Sequence, residues 1–224
     1  MTHITTITLR MPLNMGEVNC YLVQNGDNFV LIDSGFSMNR PQLEHALEQA
    51  DCQPGNLKLL LLTHGDFDHT GNATYLRQKY GTKIAMHRDD WGMLEQGDMF
   101  YNRKRGNPVM RWLAPRLIGF GKDKRCTPDI AVEEGYDLSP FGIEAKILSL
   151  PGHSKGSIGV LTGDGDLFCG DLLENTSGTP RLGSIVDDAE RMQQSVEKLK
   201  VLGIKTVYPG HGKPFEMEAL KISP

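Results

Sequence analysis

The sequence predicts a single domain of the α+β or α/β class, in which short apolar strands alternate with amphipathic helices. Its 224 residues are enough for one domain with a substantial hydrophobic core, and 39% hydrophobic with 23% charged residues is a globular composition. Residues 57–63 form an apolar run interrupted only by Lys58, which is typical of a strand buried on both faces. Purely apolar runs such as residues 59–62 are far shorter than a membrane span.

The first third of the chain is predicted to contain strands followed by helices. Apolar or alternating segments predict strands at residues 4–10, 19–24, 29–33, 57–63 and 83–86. A helix should begin near Arg40, because Pro41 fits the first turn of a helix without losing a hydrogen bond, and it should end before Pro54. A second helix is predicted over 72–80, with Gly81 just past its end.

The second half of the chain returns to strands after a segment of irregular pattern. Strands are predicted at 143–150, 157–162, 166–169 and 206–208, and apolar residues at helical spacing predict a helix over 187–202. Residues 88–128 have irregular apolar spacing broken at Gly106, Pro108 and Pro115, which favours two or three short helices. We therefore predict one domain over 1–224, with a helical insertion at about 88–128.

Charge and cysteine usage limit the classes of partner and the compartment. The net charge of −4 weighs against nucleic-acid binding, although residues 99–125 carry eight Lys and Arg against Asp123 alone. The first residues lack the basic and apolar regions of a secretory signal, and the four cysteines are scattered without a CxxC pair. These features predict a cytoplasmic protein with reduced, buried thiols.

The strongest functional signal directly follows the buried strand. His64, Asp66, Asp68 and His69 place four metal-ligand side chains within six residues. In an extended loop alternate residues point to one side, so His64, Asp66 and Asp68 can converge while His69 faces away. This spacing favours two adjacent ions rather than one.

Three later segments repeat the same context, a polar residue beside glycine at the end of an apolar strand. These residues are His153, Asp171 and His211. Strand ends place side chains on a rigid scaffold, and the neighbouring glycines let the backbone come close to an ion or ligand. Four segments that together offer four His and three Asp predict a metal centre.

These motifs resemble the metallo-β-lactamase-fold hydrolase superfamily, whose pattern is HxHxDH followed by single His, Asp and His ligands. The resemblance implies a four-layer αββα sandwich with a binuclear metal site between the two sheets, and Asp33 matches an early strand-end Asp of the family. Position by position, the resemblance implies that the first ion is held by His64, Asp66 and His153. It implies that the second ion is held by Asp68, His69 and His211, and that Asp171 bridges the two ions.

Asp66 departs from the family pattern, which usually has His there. We expect two divalent ions, with zinc as the main candidate. Iron and manganese are the alternatives, because a carboxylate is a harder ligand than imidazole. A water held between two cations loses its proton near neutral pH and becomes a nucleophile, which Asp68 would orient. The expected reaction is hydrolysis of an ester-like bond in a small molecule, such as a thioester, lactone or phosphoester.

Two other chemistries fit parts of the sequence. A diiron or mononuclear-iron oxidoreductase would use the same ligands, and metal content with oxygen consumption separates it from a hydrolase. A serine hydrolase is suggested by the GxSxG pattern around Ser154, with Asp171 and His211 following in the right order, but it requires a helix after Ser154 where the sequence predicts a strand.

The remaining candidates concern substrate and partners. Arg103, Lys104 and Arg105 are expected to bind an anionic substrate, and His87 at the end of a predicted strand is expected to line the pocket rim. The aromatic and methionine residues of 88–128 also allow a homodimer through this segment.

Overall fold

Two β-sheets form the centre of the protein in the computed structural model, which describes residues 2–11, 15–104, 109, 112 and 121–221. The strands of the first sheet are β1 (His3–Arg10), β2 (Glu17–Asn25), β3 (Asn28–Ile32), β4 (Leu57–Leu61), β5 (Lys83–Met86) and β6 (Ile130–Ala131). They lie in chain order across the sheet. The β1–β2 and β2–β3 pairs are antiparallel, and the pairs from β3 to β6 are parallel.

The second sheet is built from the C-terminal half of the chain. Its strands are β7 (Ala145–Ser149), β8 (Ile158–Thr162), β9 (Asp166–Asn175), β10 (Arg181–Leu182), β11 (Thr206–Gly212) and β12 (Phe215–Glu216). The order across it is β12, β11, β9, β8 and β7, with β10 paired to β9. The β9–β11 pair is parallel, with register shifts on either side of Pro209.

Helices cover the outer faces of both sheets. The helices whose bounds lie within the described part of the chain are α1 (Arg40–Gln49), the single turn α2 (Phe67–Thr70), α3 (Ala73–Tyr80), α4 (Arg88–Gln96) and α5 (Ala189–Leu199). Short 3₁₀ turns occur at Ser37–Asn39, Lys122–Lys124, Ser139–Phe141 and Met217–Ala219. The Asp188 side chain caps α5 by accepting from the Arg191 N–H at 3.1 Å.

Three apolar clusters separate the four layers. The first packs Leu43, Leu76 and Leu94 of the helices α1, α3 and α4 on the first sheet. The second lies between the sheets, and the third packs Met192 and Val196 of α5 on the outer face of the second sheet. The predicted four-layer αββα sandwich is confirmed.

Several element bounds differ from the sequence-based prediction. Strand β9 continues to Asn175, six residues beyond the predicted end, and β11 continues to Gly212. Asp171 and His211 therefore lie within strands rather than after them. Gly170 allows this because its φ of +51° lets β9 kink at the site and then resume.

The predicted helical insertion is described only in part. Within 88–128 the structure places α4 and the turn Lys122–Lys124, while residues 105–108, 110, 111 and 113–120 lie outside the described residues. The homodimer contact predicted for this segment stays a prediction. Across the described ranges, no helix combines the length and apolar character needed to cross a membrane.

Candidate metal centre

The first group of site residues lies in the turn that connects β4 to α2. His64 follows the strand, Asp66 has an extended backbone immediately before α2, and Asp68 and His69 lie within that helical turn. The turn changes which residues meet, because a helix does not alternate its side chains as an extended loop does. Asp68 therefore lies near His69 instead of joining His64 and Asp66 on one side.

The structure brings the seven candidate ligands together in three overlapping groups. In each group the ligand atoms lie within 4.8 Å of one another: His64, Asp66 and His153; Asp68, His69 and His211; and His64, His69 and Asp171. We call the first group the first metal position and the second group the second metal position. Asp171 lies between them, with Oδ1 3.3 Å from His69 Nε2 of the second position and Oδ2 3.9 Å from His64 Nε2 of the first.

All four histidines point Nε2 at the centre because Nδ1 is engaged elsewhere. His69 Nδ1 donates to Asp33 Oδ2 at 2.8 Å, and His211 Nδ1 donates to the Glu17 carbonyl oxygen at 2.7 Å. His153 Nδ1 donates to the Ile185 carbonyl at 2.9 Å. His64 Nδ1 donates to Thr63 Oγ1 at 2.9 Å, because the Thr63 hydroxyl donates its own hydrogen to Asp33 and can only accept from His64. Such outer partners fix the ring orientation that a metal ligand needs.

Asp33 organises the first half of the site. Its carboxylate accepts from the Thr63 N–H and hydroxyl, each at 2.8 Å, and from His69. The residue is buried and has a φ of +61°, which is strained for a residue with a Cβ. These hydrogen bonds hold the strained backbone and join the end of β3 to the ligand turn.

The charges of the cluster shift its pKa values in a consistent pattern. Burial lowers the pKa of His64, helped by the neighbouring His69 and His153. Burial also lowers the pKa of His211, but Asp171 outweighs it and raises that pKa to about 11. Burial raises the pKa of Asp171, yet the facing His211 and His69 bring it well below its usual range. The site is thus rich in negative charge, which protons balance when no metal cation does.

Two properties of these residues fit divalent metal ions: buried ligand atoms without hydrogen-bond partners, and a donor set of imidazole and carboxylate groups. His64 Nε2, His69 Nε2 and Asp171 Oδ1 are buried without a hydrogen-bond partner, and they face one another. Buried polar atoms are seldom left unpaired, and imidazole with carboxylate is a donor set for zinc, iron or manganese. The first position differs from the second in one respect, because the Arg103 side chain also contacts Asp66 and His153.

A buried carboxylate that the sequence did not single out ties two ligand turns together. Asp90 in α4 is fully buried and accepts from the Gly65 N–H at 3.2 Å, from the Gly156 N–H at 2.8 Å and from Ser154 Oγ at 2.5 Å. Burial raises its pKa, while the Ser154 and Gly156 donors oppose that rise. Ser154 is buried, bonded to Asp90 and followed by strand β8, so the geometry lacks the nucleophile elbow of a serine hydrolase.

A cavity of about 620 Å³ opens onto the site. Asp66, Asp68, Asp171 and His211 form its polar floor. Its apolar walls come from the chain before β2, the turn after β3, the helical turn α2 and two loops: Met11, Met15, Phe36, Phe67, Met99 and Ile185. A volume of this size holds a small organic molecule.

The residues predicted to bind substrate are placed elsewhere or lie outside the described part of the chain. Arg103 is buried at the first metal position, and Arg105 lies outside the described residues. Lys104 is exposed and its Nζ lies 2.9 Å from Asp188 Oδ2. His87 precedes α4, where its Nδ1 accepts from the Asp89 N–H at 3.2 Å, and it does not line the cavity.

The sequence profile of the metallo-beta-lactamase superfamily matches residues 13–211. The chain belongs to this superfamily. Among its relatives, hydroxyacylglutathione hydrolase GloC of Haemophilus influenzae is 31% identical over 90% of this chain and 89% of its own length. The acyl-coenzyme A thioesterase MBLAC2 of Bos taurus is 26% identical over 91% of this chain and 76% of its own length.

The solved structures of the superfamily agree with the fold. The protein TTHA1623, solved in a di-iron-bound form, superposes with a TM-score of 0.72 and 27% identity over 96% of both chains. The predicted family and the predicted enzyme class, a metal-dependent hydrolase of this superfamily, are confirmed.

Proposed function

We propose that the protein hydrolyses a thioester in a small molecule, using two divalent ions held at the first and second metal positions. The observation that carries this proposal is the convergence of four imidazole Nε2 atoms and three carboxylates on the floor of a cavity with apolar walls. The names of two relatives, a hydroxyacylglutathione hydrolase and an acyl-coenzyme A thioesterase, favour a thioester among the ester-like bonds that the sequence predicts.

The chemistry divides between the ions and the side chains of this chain. Bound divalent ions would supply an ionised water as nucleophile at neutral pH and positive charge for the carbonyl oxygen. Asp171 reaches both positions, since its Oδ2 lies 3.2 Å from His211 Nε2 and 3.9 Å from His64 Nε2, so we propose it as the bridging ligand. Asp68 lines the cavity and can accept a hydrogen bond from the attacking water, which orients that water toward the substrate.

We propose zinc as the resident ion, with iron or manganese as the alternatives that Asp66 favours. Carboxylates make up three of the seven donors, which is a harder set than an imidazole-rich zinc site. The di-iron-bound form of TTHA1623 supports iron among these metals. An iron oxidoreductase that uses the same ligands is the second candidate function.

The cavity and the basic segment suggest the kind of substrate. The apolar walls fit an acyl or alkyl group, while Lys104 and Arg105 belong to the basic segment predicted to attract an anion. Replacing both by alanine should raise KM for an anionic thioester and leave KM for a neutral one unchanged. The homodimer predicted through 88–128 is tested by sedimentation equilibrium of the full chain.

A substrate panel tests the proposed function. Metal-stripped protein is reloaded separately with Zn²⁺, Mn²⁺ or Fe²⁺ and assayed on a glutathione thioester, an acyl-coenzyme A, a lactone and a phosphodiester, with Asp171→Ala as the inactive control. Thioester hydrolysis at a higher kcat/KM than the other three supports the proposal. Oxygen consumption without thioester hydrolysis in the iron-loaded form would instead establish the oxidoreductase.

A further inference from the structure

Arg103 is a buried charged side chain at the site that the proposed chemistry does not use. Its side chain is buried, and the chain reaches the site through a turn in which the Arg103 N–H donates to the Phe100 carbonyl at 3.3 Å. Nη2 lies 2.9 Å from both carboxylate oxygens of Asp66 and 3.0 Å from His153 Nε2. One guanidinium nitrogen thus contacts two of the three ligands of the first metal position.

The direction of these hydrogen bonds follows from the chemistry of the groups. A guanidinium only donates, so Nη2 gives one hydrogen to Asp66 and the other to His153. His153 can accept at Nε2 because Nδ1 donates to the Ile185 carbonyl. Arg103 therefore already engages two of the three groups that would bind an ion there, Asp66 and His153, while His64 Nε2 is buried without a hydrogen-bond partner.

A metal ion and the guanidinium cannot occupy this place together. An ion bound to Asp66 and His153 would lie about 2.0–2.2 Å from each ligand atom, within the volume that Nη2 fills at about 3 Å from the same atoms. Both are cations, so each can offset the buried charge of Asp66. Burial raises the pKa of Asp66, but the charge of Arg103 is the largest of the effects that oppose burial and lower that pKa.

The second metal position has no such competitor. In the described part of the chain, ion pairs within 4.0 Å of Asp68 or Asp171 come only from histidines, and Lys or Arg side chains take no part. His69 Nε2 and Asp171 Oδ1 are buried there without a hydrogen-bond partner. The two positions are therefore unequal before any metal is added.

We propose that Arg103 is the resident cation of the first metal position and must be displaced before a metal ion binds there. The inference rests on the proposed metal-dependent function and adds an order of loading. The second position loads first, and the first position takes its ion only against the hydrogen bonds of Arg103. Nε and Nη1 of Arg103 are buried without a hydrogen-bond partner, so displacement breaks only the contacts of Nη2 and exposes two unpaired groups to water.

Zn²⁺ binding by metal-stripped protein tests this order without any use of enzyme activity. Wild type, Arg103→Met and Arg103→Gln are titrated with Zn²⁺ in competition with a colorimetric chelator, and Lys104→Met, the exposed neighbour, is the matched control. In wild type and Lys104→Met we expect one tight Zn²⁺ and a second bound at least about tenfold more weakly, because a charge-assisted hydrogen bond must be broken. In both Arg103 variants the second Zn²⁺ should bind at least about tenfold more tightly than in wild type, with the first unchanged.

Three results would overturn the inference. The first is that wild type binds two Zn²⁺ ions with equal affinity. The second is that the affinity for the second Zn²⁺ is unchanged in both Arg103 variants while they retain the near-ultraviolet circular dichroism of wild type. The third is that Lys104→Met binds the second Zn²⁺ as much more tightly as the Arg103 variants do. Absence of any Zn²⁺ binding in wild type would refute the proposed function together with this inference. Two tight ions in wild type would leave the proposed function intact.

Discussion

Replacing Asp90 by asparagine should destabilise the ligand turns without removing any ligand. Asp90 accepts from two backbone N–H groups, those of Gly65 and Gly156, and from the Ser154 hydroxyl, all in a fully buried setting. Asparagine has the same shape but only one accepting oxygen, so its NH₂ group must face at least one of these donors. Leaving a buried donor unpaired costs about 1–3 kcal/mol.

We therefore expect Asp90→Asn to lower the free energy of unfolding by about 2 kcal/mol, which for a chain of this size lowers Tm by roughly 4–8 °C. Gly65 and Ser154 adjoin His64 and His153, so the Zn²⁺ affinity of the first position should fall as well. The assays are thermal denaturation of metal-stripped protein and chelator competition. Asp89→Asn is the matched control, because the Asp89 side chain is 40% exposed and lies 3.9 Å from Lys155. Equal Tm values for the two variants would refute the bridging role of Asp90.

Three other perturbations test the centre directly. Gly210→Ala places a Cβ against Asp171 Oδ1 and 2.8 Å from His69 Cε1. It should therefore abolish Zn²⁺ binding in chelator competition. The control Gly163→Ala should bind Zn²⁺ normally, because its Cβ stays 3.8 Å or more from its neighbours. Asp33→Asn removes the charged acceptor of His69 Nδ1 and should weaken Zn²⁺ binding about 10–100-fold, and unchanged affinity would contradict its orienting role. Chelation should lower Tm in calorimetry and added Zn²⁺ should restore it, since an ion that binds only the folded state stabilises that state.

Part of the centre could be predicted because it depends on local pattern. The cluster from His64 to His69 lies directly after an apolar run, and the later candidates lie beside glycines, so their residue types and positions are visible in the sequence. Alternation predicts Asp68 on the same side as His64 and Asp66, but the chain folds into the turn α2 instead of an extended loop and places Asp68 near His69. The apolar pattern predicts a strand that ends before Asp171, whereas Gly170 kinks β9 and the strand continues.

The contacts of Arg103 and Asp90 could not be predicted in the same way. Arg103 meets Asp66 and His153 across 37 and 50 residues of chain, and in the sequence it is one of eight cations in a basic segment. Asp90 joins residues that are 25 and 66 positions away. These contacts depend on how α4 and the following turn pack over the sheet edge, and the spacing of residues along the sequence does not predict that packing.

The most direct test of the metal centre follows bound Zn²⁺ and thioester hydrolysis in the same titration of metal-stripped protein. We expect no hydrolysis in the stripped protein and activity that rises with bound ion. Asp171→Ala should lose both Zn²⁺ binding and activity, because Asp171 lies between the two positions. Full hydrolysis by the stripped protein, or full Zn²⁺ occupancy in Asp171→Ala, would contradict the account.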